Sequence, residues 1–164
     1  VTLFLPAIIV VGIDQITKYL FWNHGRNYQI IDGFFNITLV RNAGAAFGMF
    51  QGGRAFFIAA SVAAIALITY LGMRMPRDER ARRVCLGLIL GGAIGNLIDR
   101  AIFGEVVDFL QIGFRGHYWP VFNVADIGVT VGATMLVVSA LWPRRAPEPV
   151  ESVAAAPNDA APRT

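Results

Sequence analysis

Residues 3–22, 55–73, 84–102 and 121–142 form four apolar runs, each about as long as a helix that crosses a bilayer. A helix rises 1.5 Å per residue, so about 20 residues cover the hydrocarbon core. The chain as a whole is 55% hydrophobic with a mean hydropathy of +0.56, too apolar for an ordinary soluble domain. The third run constrains least, because Asp99 and Arg100 shorten its apolar part to residues 84–98. Three spans with one re-entrant segment is the competing architecture. The expectation is a mainly α membrane protein: a four-transmembrane-helix bundle carrying a small extracytoplasmic β-sheet on top.

Orientation follows from arginines in the short loops. Arg74, Arg77, Arg80, Arg82 and Arg83 lie between the second and third runs, and Arg144 and Arg145 follow the fourth. Arg26, Arg41, Arg54 and Arg115 are spread over the other side. Both termini are therefore expected in the cytoplasm, with residues 23–54 and 103–120 outward. The net charge of +3 reflects this asymmetry and gives no reason to expect nucleic acid. The first run has no basic start, carries Asp14 and Lys18 and shows no small-residue cleavage site, so it reads as a retained span. Residues 1–142 read as one domain. Residues 143–164, with five prolines and scattered charge, read as a disordered cytoplasmic tail.

The outward loop is not helical in pattern. Residues 28–31 and 34–40 flank Asp32-Gly33, a favoured two-residue hairpin turn. Phe35, Ile37 and Leu39 alternate with Asn36 and Thr38, the period of a half-buried strand. The β region is expected over about 27–48. Gly87, Gly91 and Gly95, and then Gly128 and Gly132, recur every four residues, which gives helices faces that pack closely. Cys85 is the only cysteine and reads as a small buried apolar residue; His24 and His117 lie on the opposite side. No histidine spacing suggests a metal site, and neither metal nor cofactor is expected.

The acids narrow the function. A carboxylate deep in a span costs roughly 2.5–3.5 kcal/mol on insertion scales, so it persists where it pairs, conducts or reacts. Asp14 and Lys18 are four apart on one helix face, and Asn96, Asp99 and Arg100 share another. Neutralisation of Asp14 by Lys18, and of Asp99 by a nearby base such as Arg100, is the simplest reading of those four. Asp99 and Arg100 are adjacent and need not face each other, which leaves a lipid phosphate or another acid as the alternative partner of Arg100. Asp108 and Asp126 have no basic neighbour in sequence, and Asp126 sits about one turn inside the fourth run, just after Asn123. Two carboxylates close together resist ionising at once, so one holds a proton while the other stays a base. That pair can hydrolyse a peptide bond. A proton relay or an ion site uses similar residues, but residues 63–71 and 134–141 contain no Asp, Glu, Lys, Arg or His to continue a path. An assembly factor held by its glycine faces leaves Asp108 and Asp126 without a role.

Five blocks occur in order: Asp14-Gln15-Ile16-Thr17-Lys18; Arg41-Asn42-Ala43-Gly44-Ala45-Ala46-Phe47-Gly48; Gly95-Asn96-Leu97-Ile98-Asp99-Arg100; Val106-Val107-Asp108-Phe109; and Phe122-Asn123-Val124-Ala125-Asp126. Together they resemble the blocks of bacterial lipoprotein signal peptidases (signal peptidase II), over about residues 11–142. The resemblance implies an aspartic endopeptidase of the bacterial inner membrane. Its partners would be diacylglyceryl-prolipoprotein signal peptides, cut before the lipid-bearing cysteine, and membrane lipid; it would act as a monomer without a cofactor. It implies Asp108 and Asp126 as the catalytic pair near the extracytoplasmic surface. It also implies Asn42, Asn96, Arg100 and Asn123 as residues lining the site, and Asp14, Lys18 and Asp99 as stabilising residues.

Overall fold

The computed structural model describes residues 1–24, 27–44 and 53–141. The expected tail at 143–164 and the end of the expected β region, Ala45–Gly48 in the second block, lie outside them. Four long helices are present: α1 (Phe4–His24), α2 (Arg54–Arg74), α3 (Arg80–Ile102) and α4 (Val124–Leu141). All four are long and apolar enough to cross a membrane, which leaves no re-entrant third run. The described residues also form four strands: β1 (Tyr28–Ile31), β2 (Phe35–Asn42), β3 (Val106–Phe114) and β4 (His117–Tyr118).

Burial is inverted relative to a soluble domain. Ile8 is 68% exposed and Leu67 58%, while Asp14 is 0% and Lys18 4% exposed. Apolar side chains left on the outside are what a lipid solvent calls for, and the charges go to the protein interior.

The glycine faces work as close-packing surfaces. A Cβ on Gly87 would run into the Leu3 carbonyl just before α1, one on Gly91 into the backbone of α1 at Ala7, and one on Gly92 into the Ala125 carbonyl of α4. So α3 is the central helix, with α1 and α4 against it. Cys85 is buried in this packing, as its position suggested.

The sheet is antiparallel in the order β1-β2-β3-β4. β1 and β2 form the expected hairpin, but Ile31 pairs with Phe35, so Asp32, Gly33 and Phe34 all lie in the turn. The register shift between Gln29 and Ile31 accounts for the extra residue. β3 is the larger surprise. The segment after α3, expected only as part of the outward stretch 103–120, is the start of a nine-residue strand pairing with β2, Val40 opposite Asp108. It continues through a tight turn at Arg115 (φ 51°) and Gly116 (φ 84°) into β4. Positive φ at both positions suits the twist of a two-residue hairpin.

Candidate active site

Asp126 is held by the start of α4. Asn123 precedes the first helical residue, and its Oδ1 accepts the Asp126 amide at 3.0 Å. The Asp126 carboxylate reaches back to accept the Asn123 amide at 3.2 Å. This reciprocal pair is a capping box, and it puts a carboxylate at the positive end of the helix. It also corrects the sequence boundary: the helix begins at Val124, so Asp126 lies in the first turn rather than a turn inside. The apolar residues before it are spent on the sheet, where Phe122 bridges Leu110.

Asp108 is held by β3. Successive strand residues face opposite sides. Phe109 is buried and stacks on Phe21 of α1 with ring centroids 4.6 Å apart. Asp108 turns the other way, with Val106 and Ile112, into a cavity of about 670 Å³. Asp126, Asn42, Asn96 and Arg100 line the same cavity.

Neutral amides join the two acids. Asn123 Nδ2 donates to Asp108 Oδ1 at 2.7 Å, and Asn42 Nδ2 to Asp108 Oδ2 at 3.1 Å. Asn96 Nδ2 donates to Asp126 Oδ1 at 2.8 Å, and Asn123 Nδ2 also reaches Asn96 Oδ1 at 3.1 Å. Asn123 is fully buried beneath the cavity rather than on its wall. Among the described residues, neither Asp108 nor Asp126 has an ion pair. Burial pushes the Asp108 carboxyl up to about 6; the Asp126 charge adds to the rise, while Asn42, Asn123 and Lys18 oppose it.

Behind this layer lies a buried ionic triad. Lys18 Nζ is 2.8 Å from Asp14 and 2.8 Å from Asp99, and it donates to Asn96 Oδ1 at 3.2 Å. The Asp14–Lys18 pair follows the sequence expectation. Asp99 takes Lys18 as its partner rather than Arg100, its neighbour in sequence, because adjacent helical residues point about 100° apart. Arg100 instead faces the cavity, 3.5 Å from the Gly44 carbonyl and 5.2 Å from the Phe57 ring centre.

The sequence reading missed Gln15. Its amide donates to Asp14 (3.2 Å), the Gly95 carbonyl (3.3 Å) and Asp99 (3.1 Å). The position next to Asp14 was the available signal. It also missed the apolar wall formed by Trp119, Pro120, Ile127 and Val131. Among the described residues, no group of three or more His, Cys, Asp or Glu comes together to hold a metal ion.

A family model described as Signal peptidase (SPase) II matches residues 6–142. The chain is 48% identical over 134 residues to the lipoprotein signal peptidase of Symbiobacterium thermophilum, covering 79% of this chain and 88% of that one. It is 40% identical over 141 residues to that of Bacillus subtilis, covering 84% and 92%. A solved bacterial membrane enzyme superposes with a TM-score of 0.78 at 35% identity, covering 84% of this chain and 85% of the other. With four membrane-length helices, a small antiparallel sheet and the family model matched along nearly all of its described length, the chain belongs to the signal peptidase II family of aspartic proteases.

Proposed function

We propose that this chain removes the signal peptide from diacylglyceryl-modified prolipoproteins, cutting before the lipid-bearing cysteine, with Asp108 and Asp126 as its catalytic pair. The observation that carries the reading is the convergence of two acids, from a strand and a helix start, on one cavity where neutral amides hold them and neither has an ion pair among the described residues. In the step we assign, the ionised carboxylate takes a proton from water as the oxygen attacks the scissile carbonyl carbon. The protonated carboxyl supplies the proton that ends on the leaving nitrogen. The products are a signal peptide with a free carboxylate and a lipid-bearing cysteine with a free amine.

Asn42, Asn96 and Arg100 then line the substrate's path, with Asn123 holding Asp108 from below. Asp14, Lys18 and Asp99 support them. The protein works as a monomer in the bacterial inner membrane. Residues 1–142 are the peptidase domain, both termini and the arginine-rich loop are cytoplasmic, and the dyad lies near the extracytoplasmic surface. Two acyl chains on the substrate would fix the depth of the scissile bond and turn a search through the bilayer into near-unimolecular presentation.

The test compares matched precursors with and without the diacylglyceryl group, using purified protein in detergent. Strong preference for the lipid-modified form is expected. Equal rates would point to a general intramembrane peptidase. Cysteine labelling in a Cys85→Ser background tests the orientation, which fails if residues 74–83 label from outside.

A further inference from the structure

At the membrane surface opposite the carboxylates, a second cavity of about 370 Å³ opens where α2 ends and α3 begins. Its floor is apolar, formed by Leu71, Leu86 and Leu136, one from each of α2, α3 and α4. Its rim is charged, with Arg74, Arg82 and Glu79. We infer that this cavity binds an acidic phospholipid of the adjoining leaflet, its phosphate at Arg74 and Arg82 and the first part of an acyl chain over the three leucines.

Charge complementarity selects the occupant. Glu79 offsets one of the two rim arginines, which leaves the rim with a single positive charge. The surrounding residues 74–83 hold five arginines against Asp78 and Glu79, a net +3. The N-terminus of α3, the positive end of its dipole, lies beside the same rim, with Glu79 as its N-cap. A lipid with net charge −1 fits this field, whereas a choline headgroup would bring a second cation to it.

The arginines are also arranged for such a ligand. Arg82 is fixed before any ligand arrives: its Nη2 donates to the Ser139 carbonyl of α4 at 3.1 Å, and its Nη1 is only loosely tied to Glu79, at 3.5 Å. Arg74 lines the same rim, with its guanidinium 5.5 Å from the Tyr70 ring centre. An inorganic anion would use the rim and leave the leucine floor empty, so the floor favours a lipid over free phosphate. Basic pockets between membrane helices are common headgroup sites.

The test is native mass spectrometry of the full chain in detergent, with dioleoyl phosphatidylglycerol and dioleoyl phosphatidylcholine supplied at equal mole fraction. Phosphatidylglycerol should be retained in preference. Arg74→Gln, which removes no structural hydrogen bond, should lower its retention about fivefold. Arg82→Gln should lower it at least as much. Leu136→Trp, which fills the floor and leaves the charge alone, should also weaken it, whereas Arg41→Gln at the other surface should not. Equal retention of the two lipids would overturn the proposal. So would unchanged retention in both Arg74→Gln and Leu136→Trp, or displacement of the lipid by millimolar inorganic phosphate. None of these outcomes depends on peptidase activity, so the lipid site can fail while the proposed function stands.

Discussion

Lys18 on α1 and Asp99 on α3 meet at 2.8 Å with both side chains out of reach of solvent. The consequence lies one residue away from each acid of the dyad. Asp99 accepts the backbone amide of Val107 at 3.1 Å, and Asp14, on the same ammonium, accepts that of Ala125 at 2.9 Å. Val107 precedes Asp108 and Ala125 precedes Asp126. A single buried cation therefore holds the two acids that fix the backbone beside both members of the proposed dyad.

Replacing Lys18 should accordingly be the most damaging change in this layer. Lys18→Met leaves Asp14 and Asp99 buried without a counter-charge, an arrangement that typically costs about 3–5 kcal/mol. Asp99→Asn keeps an Asp14–Lys18 pair, and its amide oxygen can still accept the Val107 amide, so it should cost less. Thermal unfolding in detergent ranks the two. A Lys18→Met protein as stable as the parent would show that the triad does not hold the site.

Asp108→Asn and Asp126→Asn should each lower turnover on the order of 10²–10⁴-fold, because either change removes the base or the acid. Groups that act as a unit are not additive, so the double variant should be little worse than either single one. Single-turnover cleavage of a lipid-modified precursor measures all three. Near-normal cleavage by either single variant would remove that residue from the dyad.

The pH dependence follows from the buried position of Asp108. Its carboxyl is pushed up to about 6, so in the free enzyme Asp108 loses its proton near that pH. Activity that needs one proton on the pair should therefore fall as pH rises through about 6. It should fall again at low pH, when the base is protonated. Asn42 donates to the ionised form of Asp108 and lowers its affinity for the proton. Asn42→Ala should then move the alkaline limb of kcat/KM upward. A downward move would mean that Asn42 acts elsewhere.

Two glycines should differ sharply. A Cβ on Gly92 would strike the Ala125 carbonyl, next to Asp126, whereas one on Gly12 would meet nothing within 4 Å. Gly92→Ala should cost about 1–3 kcal/mol through overpacking. It should also reduce cleavage, because it pushes on the first turn of α4. Gly12→Ala, in mid-helix, should be neutral or slightly stabilising. Melting curves with parallel activity assays separate the cases, and equal behaviour of the two variants would refute the packing argument.

The sequence by itself determined the solvent and the helices. Apolar runs of spanning length can satisfy their backbone in lipid as helices, and α1 to α4 lie within a few residues of those runs. It also determined the Asp14–Lys18 contact, since residues four apart on a helix are neighbours. The five blocks carried the family. Other features were settled by contacts between segments far apart in the chain. Val106-Val107 and Phe109-Leu110 are good strand residues, yet only the partner strand β2 makes β3 a strand and turns Asp108 toward the cavity. Local spacing offered Asp99 only the adjacent Arg100, which need not face it, whereas the packing of α1 on α3 through Gly87, Gly91 and Gly95 brought Lys18 to it. Likewise, Asn123 and Asp126 read from sequence as polar residues near a helix start. Their link to Asn96 and Asp108 exists only because α3, α4 and β3 converge there. Helix and membrane signals are periodic and local, so they can be read along the chain. A dyad built from a strand and a helix has no period, and its geometry is set only when the tertiary packing closes.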